Sequence, residues 1–259
     1  WEPKYLAQPL FNALLATFFE WGVALHHLET DKLRTGEVKW SDKKEMAIDV
    51  VRKVGSQVGK DYILFPLLTG PAWKSTLTAN ATANIIRNYW TYAVIFCGHF
   101  PDGAEKFTVE EYEAETQPEW YLRQMLGSAN FGAGKTLAFM TGNLCYQIEH
   151  HLFPDLPSNR YAEIAVKIQQ LCDKYDLPYT TGSLPHQYGQ TLRTIMKLSL
   201  PNRFLSATSD DAPETSSELK FRIRGGMKEV FGTDPATGKR RGLRTALAMA
   251  GKHTAVHGS

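Results

Sequence analysis

Cysteines are few in this sequence, and no signal peptide is recognisable. The 259 residues include only Cys97, Cys145 and Cys172, which lie far apart and form no C-x-x-C pair. That number and spacing argue against a disulfide framework and a zinc ribbon, and they favour a reducing compartment. The chain begins at Trp1, and no basic segment precedes a short apolar core and a cleavage site. We therefore expect a fragment or a processed product.

A strong charge of either sign is also missing. The formal net charge of +2 is too small to argue for nucleic acid, and no basic stripe with interleaved aromatic residues occurs. Nucleic acid is therefore excluded as a predicted partner. The mean hydropathy of −0.31 is typical of a soluble protein, but the apolar residues concentrate before about position 155. The average therefore does not argue against membrane segments.

Two apolar stretches predict membrane helices near 9–27 and 72–99. Each approaches or exceeds the roughly 20 residues that a bilayer crossing needs. The charged segment 29–61 between them predicts an amphipathic helix lying on a surface. Polar residues recur every four positions within the second stretch, which places them on one face that we interpret as a helix-packing face. They are Asn80, Asn84, Asn88 and Tyr92.

The remaining chain predicts further helices and a polar tail. A helix is expected from about Leu137 to Phe153, because Pro154 and Pro157 would stop it. Apolar spacing predicts two more helices, at 161–175 and at about 187–200. The predicted fold class is therefore all-α, with membrane-embedded helices and a cytoplasmic helical metal-binding cap. Residues 206–259 are polar and partly basic, and we expect this tail to be disordered.

The predicted helix over 140–153 places four possible metal-binding side chains on one face. Asn143, Gln147, His150 and His151 occupy positions i, i+4, i+7 and i+8. Adjacent histidines on a helix diverge by about 100°, which favours two neighbouring metals over one. Glu149 falls on another face, as a surface carboxylate or one that supports a ligand. The alternative is that these two histidines lie at an interface and bind no metal, since a lone His-His dipeptide is weak evidence for a metal site.

His99 is a further candidate ligand. Its predicted helix ends in the run His99-Phe100-Pro101-Asp102, and the other helix ends in the similar run His151-Leu152-Phe153-Pro154-Asp155. Two helix ends of this kind could deliver imidazoles to one site. Taken alone, His99 would more often be a satisfied interfacial histidine.

The segment 142–157, with the pentad Gln147-Ile148-Glu149-His150-His151, resembles the third histidine box of the membrane fatty-acid desaturases. The Gln-x-x-His-His form is similar to that of front-end and bacterial acyl-lipid enzymes. Together with 97–103 and the helix near Arg160, it is most similar to the bacterial stearoyl-CoA delta-9 branch that depends on NADPH. The resemblance makes 1–205 the C-terminal part of a desaturase domain.

This resemblance implies a membrane enzyme whose active site faces the cytoplasm. Two irons would activate dioxygen to introduce a cis double bond into an acyl-CoA or acyl-lipid chain. Electrons would come from NADPH through a separate reductase. The implied iron ligands are His99, His150 and His151, with Gln147 in place of the first histidine of the box. From helical geometry alone, we add Asn143 as a residue that could support the ligands.

The sequence departs from the family pattern in two earlier histidine boxes. Before the third box neither His-x-x-x-His nor His-x-x-His-His occurs, and His26-His27 is no substitute because Val23 stands where a histidine is needed. We expect these boxes upstream of Trp1 and expect the chain alone to be inactive. A histidine-box hydroxylase or monooxygenase stays an alternative. So does a non-catalytic membrane-surface binding module with structural histidines.

The predicted membrane topology has a difficulty. If 9–27 and 72–99 both cross, a basic block containing Lys43, Lys44 and Arg52 falls on the side opposite the metal site. The positive-inside rule disfavours that arrangement. One of the two helices could instead be re-entrant or interfacial.

Overall fold

The computed structural model describes residues 1–101, 103, 104, 107 and 115–201 of the chain. The predicted disordered tail, 206–259, lies outside the described residues. The chain forms two compact units. One consists of Leu10–Ala93, and the other of Trp1–Pro9 together with the described residues from Val94 onward.

Helices build the unit Leu10–Ala93. The α-helices are α1 (Gln8–Thr17), α2 (Phe19–His27), α3 (Thr30–Thr35), α4 (Trp40–Val58), α5 (Phe65–Leu68) and α6 (Trp73–His99). A π-helical turn, Gly59–Leu64, and a 3-10 turn, Gly70–Ala72, connect the later ones. The amphipathic helix predicted within 29–61 corresponds to α4, which has no buried residue.

The long helix predicted over 72–99 is confirmed as α6, but the single helix predicted over 9–27 is wrong. That segment forms α1 and α2, which are interrupted at Phe18, where φ is −114° and ψ is 33°. The Oγ1 of Thr17 donates a hydrogen bond to the carbonyl of Ala13 at 2.8 Å, and such back-bonding often bends helices. Among the described helices, none combines the length and the apolar character that a bilayer crossing requires.

The polar stripe of α6 packs against neighbouring helices of the same unit. Each of its four side chains donates a hydrogen bond, and their acceptors are the Asp61 carbonyl for Asn80 (2.6 Å), the Tyr62 hydroxyl for Asn84 (2.9 Å), the Thr17 carbonyl for Asn88 (3.0 Å) and Asn12 Oδ1 for Tyr92 (2.6 Å). Tyr92 is fully buried, with 0% of its surface exposed. The structure therefore confirms the interpretation as a helix-packing face.

In the described residues of the other unit, the structure is helical apart from two three-residue strands. After a 3-10 turn at Pro3–Ala7, its elements are α7 (Gln117–Leu126), β1 (Asn130–Gly132), α8 (Lys135–Met140), α9 (Gln147–Leu152), a 3-10 turn at Ser158–Arg160, α10 (Tyr161–Tyr175), β2 (Thr181–Ser183) and α11 (Leu184–Ser199). The strands pair in parallel, with Asn130 opposite Thr181. The structure confirms the helix predicted over 161–175, and α11 begins three residues before its predicted start.

A small apolar core holds α7, α9 and α10 together. Met125 and Leu126 of α7 pack with Ile148 of α9 and with Ile168 and Cys172 of α10, and all five are buried. Ile148 is 0% exposed. Burial of such side chains contributes about 1.5–3 kcal/mol each relative to exposure. The core therefore anchors α9 through Ile148, the residue that follows Gln147.

The continuous helix predicted from Leu137 to Phe153 is also wrong. The chain leaves the helix after Met140 and re-enters it at Gln147. Gly142 and Asn143 have φ values of 61° and 64°, which belong to the left-handed region and cannot continue a right-handed helix. Glycine and asparagine tolerate this region best. The box helix is therefore the six-residue α9.

Candidate metal centre

The end of α6 and the helix α9 bring two predicted ligands together. The Nε2 atoms of His99 and His151 lie 3.0 Å apart. Their ring centroids are 5.0 Å apart with an interplanar angle of 65°. The sequence predicted that the two helix ends would deliver imidazoles to one place, and for this pair the structure does so.

Hydrogen bonds at the opposite ring nitrogens define which protons these imidazoles carry. The Nδ1 of His99 donates to the carbonyl of Ile95 at 2.7 Å, and the Nδ1 of His151 donates to Gln124 Oε1 at 2.9 Å. A neutral imidazole that donates through Nδ1 has a bare lone pair at Nε2. When both rings are neutral, two lone pairs thus face each other and repel unless a metal ion or a proton lies beside both.

A metal ion would fit these two nitrogens. Imidazole–metal bonds of about 2.0–2.1 Å, the length known for zinc, place adjacent ligand nitrogens roughly 3 Å apart. Imidazoles whose second nitrogen donates to an oxygen are the usual form of histidine ligands. The spacing of His99 and His151 therefore agrees with a shared metal.

Gln147 contributes a buried amide beside His99. Its side chain is 4% exposed, its Nε2 lies 3.5 Å from His99 Nε2, and its Oε1 has no hydrogen-bond partner among the described residues. Buried polar atoms are rarely left unpaired, and a missing ion is one explanation for the exceptions. Gly98 allows this approach, because a Cβ at that position would lie 2.8 Å from Cγ of Gln147.

His150 points to a different neighbour. Its Nδ1 lies 3.0 Å from the hydroxyl of Tyr161, the first residue of α10. The rings of His150 and His151 are 5.8 Å apart between centroids and nearly perpendicular, at 82°. The adjacent histidines thus diverge, and their division between two metals stays a prediction.

Burial keeps the two box histidines neutral. Burial first, with further contributions from His99 and His150, lowers the pKa of His151 to about 4. It also lowers the pKa of His150, again with a contribution from His99. Only the neutral imidazole can bind a metal, so the environment favours the binding form.

Asn143 does not share a helical face with the other three residues, because the helix is broken before it. Its Nδ2 donates to the hydroxyl of Ser158 at 3.3 Å. The geometric reasoning that grouped it with Gln147 was therefore wrong. Its supporting role beside the ligands stays a prediction.

Glu149 is buried, so the expectation of a surface carboxylate was wrong. It is 0% exposed, and it accepts hydrogen bonds from Asn130 Nδ2 at 2.7 Å and from the Tyr179 hydroxyl at 2.9 Å. Burial raises the pKa of Glu149. Burial and the adjacent Glu149 carboxylate also raise the pKa of Tyr179.

Four residues around the site were not predicted from the sequence: Gln124, Asn130, Tyr161 and Tyr179. Each reaches the box from another element through a contact between 11 and 30 positions away. No spacing pattern signals such contacts. Within the described part of the chain, no three His, Cys, Asp or Glu side chains come close enough to hold a metal ion. The donors that converge are His99, His151 and the amide of Gln147.

A helical fold with two converging imidazoles is compatible with a protein that binds metal through histidines. Comparison with known proteins places the chain more narrowly. It belongs to the fatty acid desaturase family, whose sequence model matches residues 4–183.

The most informative relatives are two mycobacterial proteins. The chain is 56% identical over 253 residues to the NADPH-dependent stearoyl-CoA 9-desaturase of Mycobacterium tuberculosis, in both strain CDC 1551 and strain H37Rv. This match covers 96% of the chain and 58% of each relative. The chain thus spans less than two thirds of the length of these proteins.

More distant relatives carry related names. The Mus musculus fatty acid desaturase 2-like protein FADS2B is 26% identical over 142 residues, which cover 54% of this chain and 28% of that protein. The Delta(8)-fatty-acid desaturase of Euglena gracilis is 29% identical over 129 residues, covering 48% of this chain and 28% of that protein. No solved structure matches the chain.

Proposed function

We propose that this chain carries part of the diiron centre of an oxygen-dependent desaturase that introduces a cis double bond into a long saturated acyl chain. The proposed substrate is stearoyl-CoA, and the proposed position is delta-9, as in the names of the mycobacterial relatives. The observation that carries the proposal is the pair of bare Nε2 atoms of His99 and His151, 3.0 Å apart. Membership of the desaturase family supports it.

In this proposal His99, Gln147, His150 and His151 hold iron. Imidazole is a suitable ligand for iron, and the amide oxygen of Gln147 is a buried acceptor in need of a partner. When bound, iron supplies the oxidising power toward dioxygen and an unactivated C–H bond that side chains lack. NADPH would supply electrons through a separate reductase, in keeping with the name of the 56% identical relatives.

Neighbouring groups of the chain hold the imidazoles in an orientation and protonation state that suit metal binding. The Ile95 carbonyl and Gln124 Oε1 hold the Nδ1 protons and thereby keep the Nε2 lone pairs free. The hydroxyl of Tyr161 orients the ring of His150. Burial keeps His151 neutral, so no proton competes for its lone pair near neutral pH.

A membrane location with the site facing the cytoplasm is part of the proposal. The unit Leu10–Ala93 exposes a run of large apolar side chains, namely Ile63, Leu64, Phe65, Leu67 and Leu68. Leu67 and Leu68 are each 73% exposed. Contiguous apolar surface of this kind often marks contact with lipid, and NADPH is available in the cytoplasm.

The test uses the natural protein that contains this chain, in membranes with NADPH and an electron-transfer reductase. Deuterated stearoyl-CoA is added, and products are identified by mass spectrometry. We expect a delta-9 monounsaturated product that disappears in a His151→Ala variant. The isolated chain, which contains neither earlier histidine box upstream of the third, is expected to give no product.

Other products would redirect the assignment. A hydroxylated acyl chain would favour the hydroxylase alternative. Membrane binding that is unchanged by His151→Ala, with neither iron nor product, would favour the non-catalytic binding module.

A further inference from the structure

A buried carboxylate directly precedes the two box histidines in sequence and makes its hydrogen bonds to residues of other segments. Glu149 Oε2 accepts a hydrogen bond from Asn130 Nδ2 at 2.7 Å, and Oε1 accepts one from the Tyr179 hydroxyl at 2.9 Å. Asn130 Nδ2 also donates to the oxygen of Tyr179 at 2.7 Å. These three bonds use both amide hydrogens, the phenolic hydrogen and both carboxylate oxygens. The network is closed.

Asn130 connects this network to α9, to α11 and to the residue that precedes β2. Its Oδ1 accepts from the backbone N–H of Ile148 in α9 at 2.8 Å. Its backbone N–H donates to the carbonyl of Thr180 at 2.9 Å, and its carbonyl accepts from Gln187 Nε2 of α11 at 2.7 Å. The residue is 4% exposed. One side chain in β1 thus holds α9 by both a backbone group and the carboxylate of Glu149.

The helix that carries the box depends on such contacts for its direction. α9 has only six residues, and helices that short are unstable in isolation. The left-handed residues Gly142 and Asn143 precede it, so no longer helix holds it in line. Its orientation must come from packing and from side-chain hydrogen bonds.

We infer that Asn130, Glu149 and Tyr179 are positioning residues that hold α9 so that Gln147 and His151 face His99 at the end of α6. The inference rests on the proposed metal-binding function and extends it to residues that do not touch the metal. Glu149 and its partners act from the far side of the helix. They fix the direction of the backbone from which the ligands project.

Replacing the Glu149 carboxylate by an amide distinguishes the positioning of α9 from a general contribution of Glu149 to protein stability. Hydrogen bonds from neutral groups offset only part of the cost of burying a carboxylate, and no cation contributes to its electrostatics among the described residues. Glu149→Gln removes that cost, but it turns one amide N–H toward a donor and breaks the closed network. A purely structural role therefore predicts a loss of metal binding only in proportion to the loss of folded protein.

The experiment titrates Co²⁺ into the natural protein that contains this chain, after removal of its metal. The Co²⁺ ligand-field absorption reports both affinity and coordination geometry. The variants are Glu149→Gln and Tyr179→Phe. Their matched controls are Glu163→Gln and Tyr175→Phe on α10, whose side chains are exposed. Thermal unfolding is measured for each protein.

We expect Glu149→Gln and Tyr179→Phe to weaken Co²⁺ binding by roughly 10- to 100-fold, as for other partners of metal ligands. Their ligand-field spectra should change while their unfolding temperatures and those of the controls stay near wild type. The double variant should lose little more than Glu149→Gln alone, because both changes break the same network.

Three results would overturn the inference. Wild-type Co²⁺ affinity and spectrum in both variants would do so. A loss of Co²⁺ that only follows the fraction of unfolded protein would make the network purely structural. Wild-type protein that binds no Co²⁺ would overturn the proposed function as well, which distinguishes the two failures.

Discussion

His99 and His151 approach within 3.0 Å through their Nε2 atoms, although 52 positions separate them in the chain. Each ring donates its Nδ1 hydrogen to an oxygen on its other side. When both rings are neutral, the two facing nitrogens are both acceptors, and a bound metal ion or a shared proton would make their proximity favourable. A metal ion shared by the two rings would require the short helix α9 to meet the end of the long helix α6.

Removing either facing imidazole should abolish metal binding. We expect His99→Ala and His151→Ala to lower the iron bound per protein at least tenfold, since losing even an indirect partner of a ligand costs about 10- to 100-fold. The measurement is iron by elemental analysis after purification. His186→Ala is the matched control, because His186 is exposed on α11. Unchanged iron in both variants would contradict the proposed site.

Gln124 should act through the Nδ1 hydrogen of His151. Gln124→Leu removes the acceptor and leaves the ring free to rotate or change tautomer, so we expect metal affinity to fall by roughly 10- to 100-fold. Gln124→Glu keeps an acceptor and should retain most of the affinity. Competition with a chelator measures both values, and Gln170→Leu on the exposed face of α10 is the control. Equal affinities for the Leu and Glu variants would argue against this role.

Gly98 is required by the approach of Gln147. In Gly98→Ala, the new Cβ would lie 2.8 Å from Gln147 Cγ and 3.2 Å from its Cβ. We expect the amide to move away from His99 and metal affinity to fall about tenfold or more. Overpacking of this kind costs about 1–3 kcal/mol of stability, which thermal unfolding would detect.

A second substitution makes the Gly98 prediction stricter. Gln147→Ala removes Cγ and Cδ, the two nearest atoms, and leaves the 3.2 Å contact with Cβ, so the double variant should regain most of the stability lost in Gly98→Ala. Gly189→Ala, where a Cβ meets nothing within 4 Å, should leave stability and metal binding unchanged. Failure of the double variant to recover would point to a clash elsewhere.

Glu29 should titrate far below its usual range. Its carboxylate accepts from Lys32 Nζ at 2.7 Å and from Lys43 Nζ at 2.6 Å. Hydrogen bonds from Lys32 and then Lys43 lower its pKa from 4.5 to about 2. The charged form is thus favoured on folding, so its contribution to stability is present above pH 4.5 and is lost as pH falls from 4.5 to 2.

Carboxyl ¹³C NMR of the Glu29 side chain tests this directly, with an expected midpoint near pH 2. The difference in unfolding temperature between wild type and Glu29→Gln should be small at pH 6, because the Glu29 side chain stays 34% exposed and solvent screens its ion pairs. It should vanish toward pH 2. Glu45→Gln on α4 is the control. A midpoint near 4.5, the ordinary value, would contradict the prediction.

Local patterns predicted the regular helices well. The bounds of α10 and α6 follow from apolar spacing and from the prolines and polar segments that flank them. The polar stripe of α6 was predicted as a packing face because a period of four keeps residues on one side of a helix. These features depend on neighbours within a few positions, which a sequence displays.

The errors arose where a backbone conformation or a distant partner decided the outcome. Gly142 and Asn143 break the predicted helix by left-handed geometry, although neither residue excludes a helix by itself. Phe18 interrupts the helix predicted over 9–27. Glu149 is buried, and Asn130 and Tyr179 donate hydrogen bonds to its carboxylate. The sequence of the histidine box does not indicate either partner.

The sequence alone determined which residues can bind a metal. The Gln-x-x-His-His pattern, the histidine before Phe-Pro-Asp and the resemblance to desaturases all depend on side-chain chemistry and short spacing. Tertiary structure alone decided which nitrogens face each other, which protons the rings carry and what holds α9 in place. Those properties come from hydrogen bonds between segments far apart in the chain, and only folding brings such groups within 3 Å.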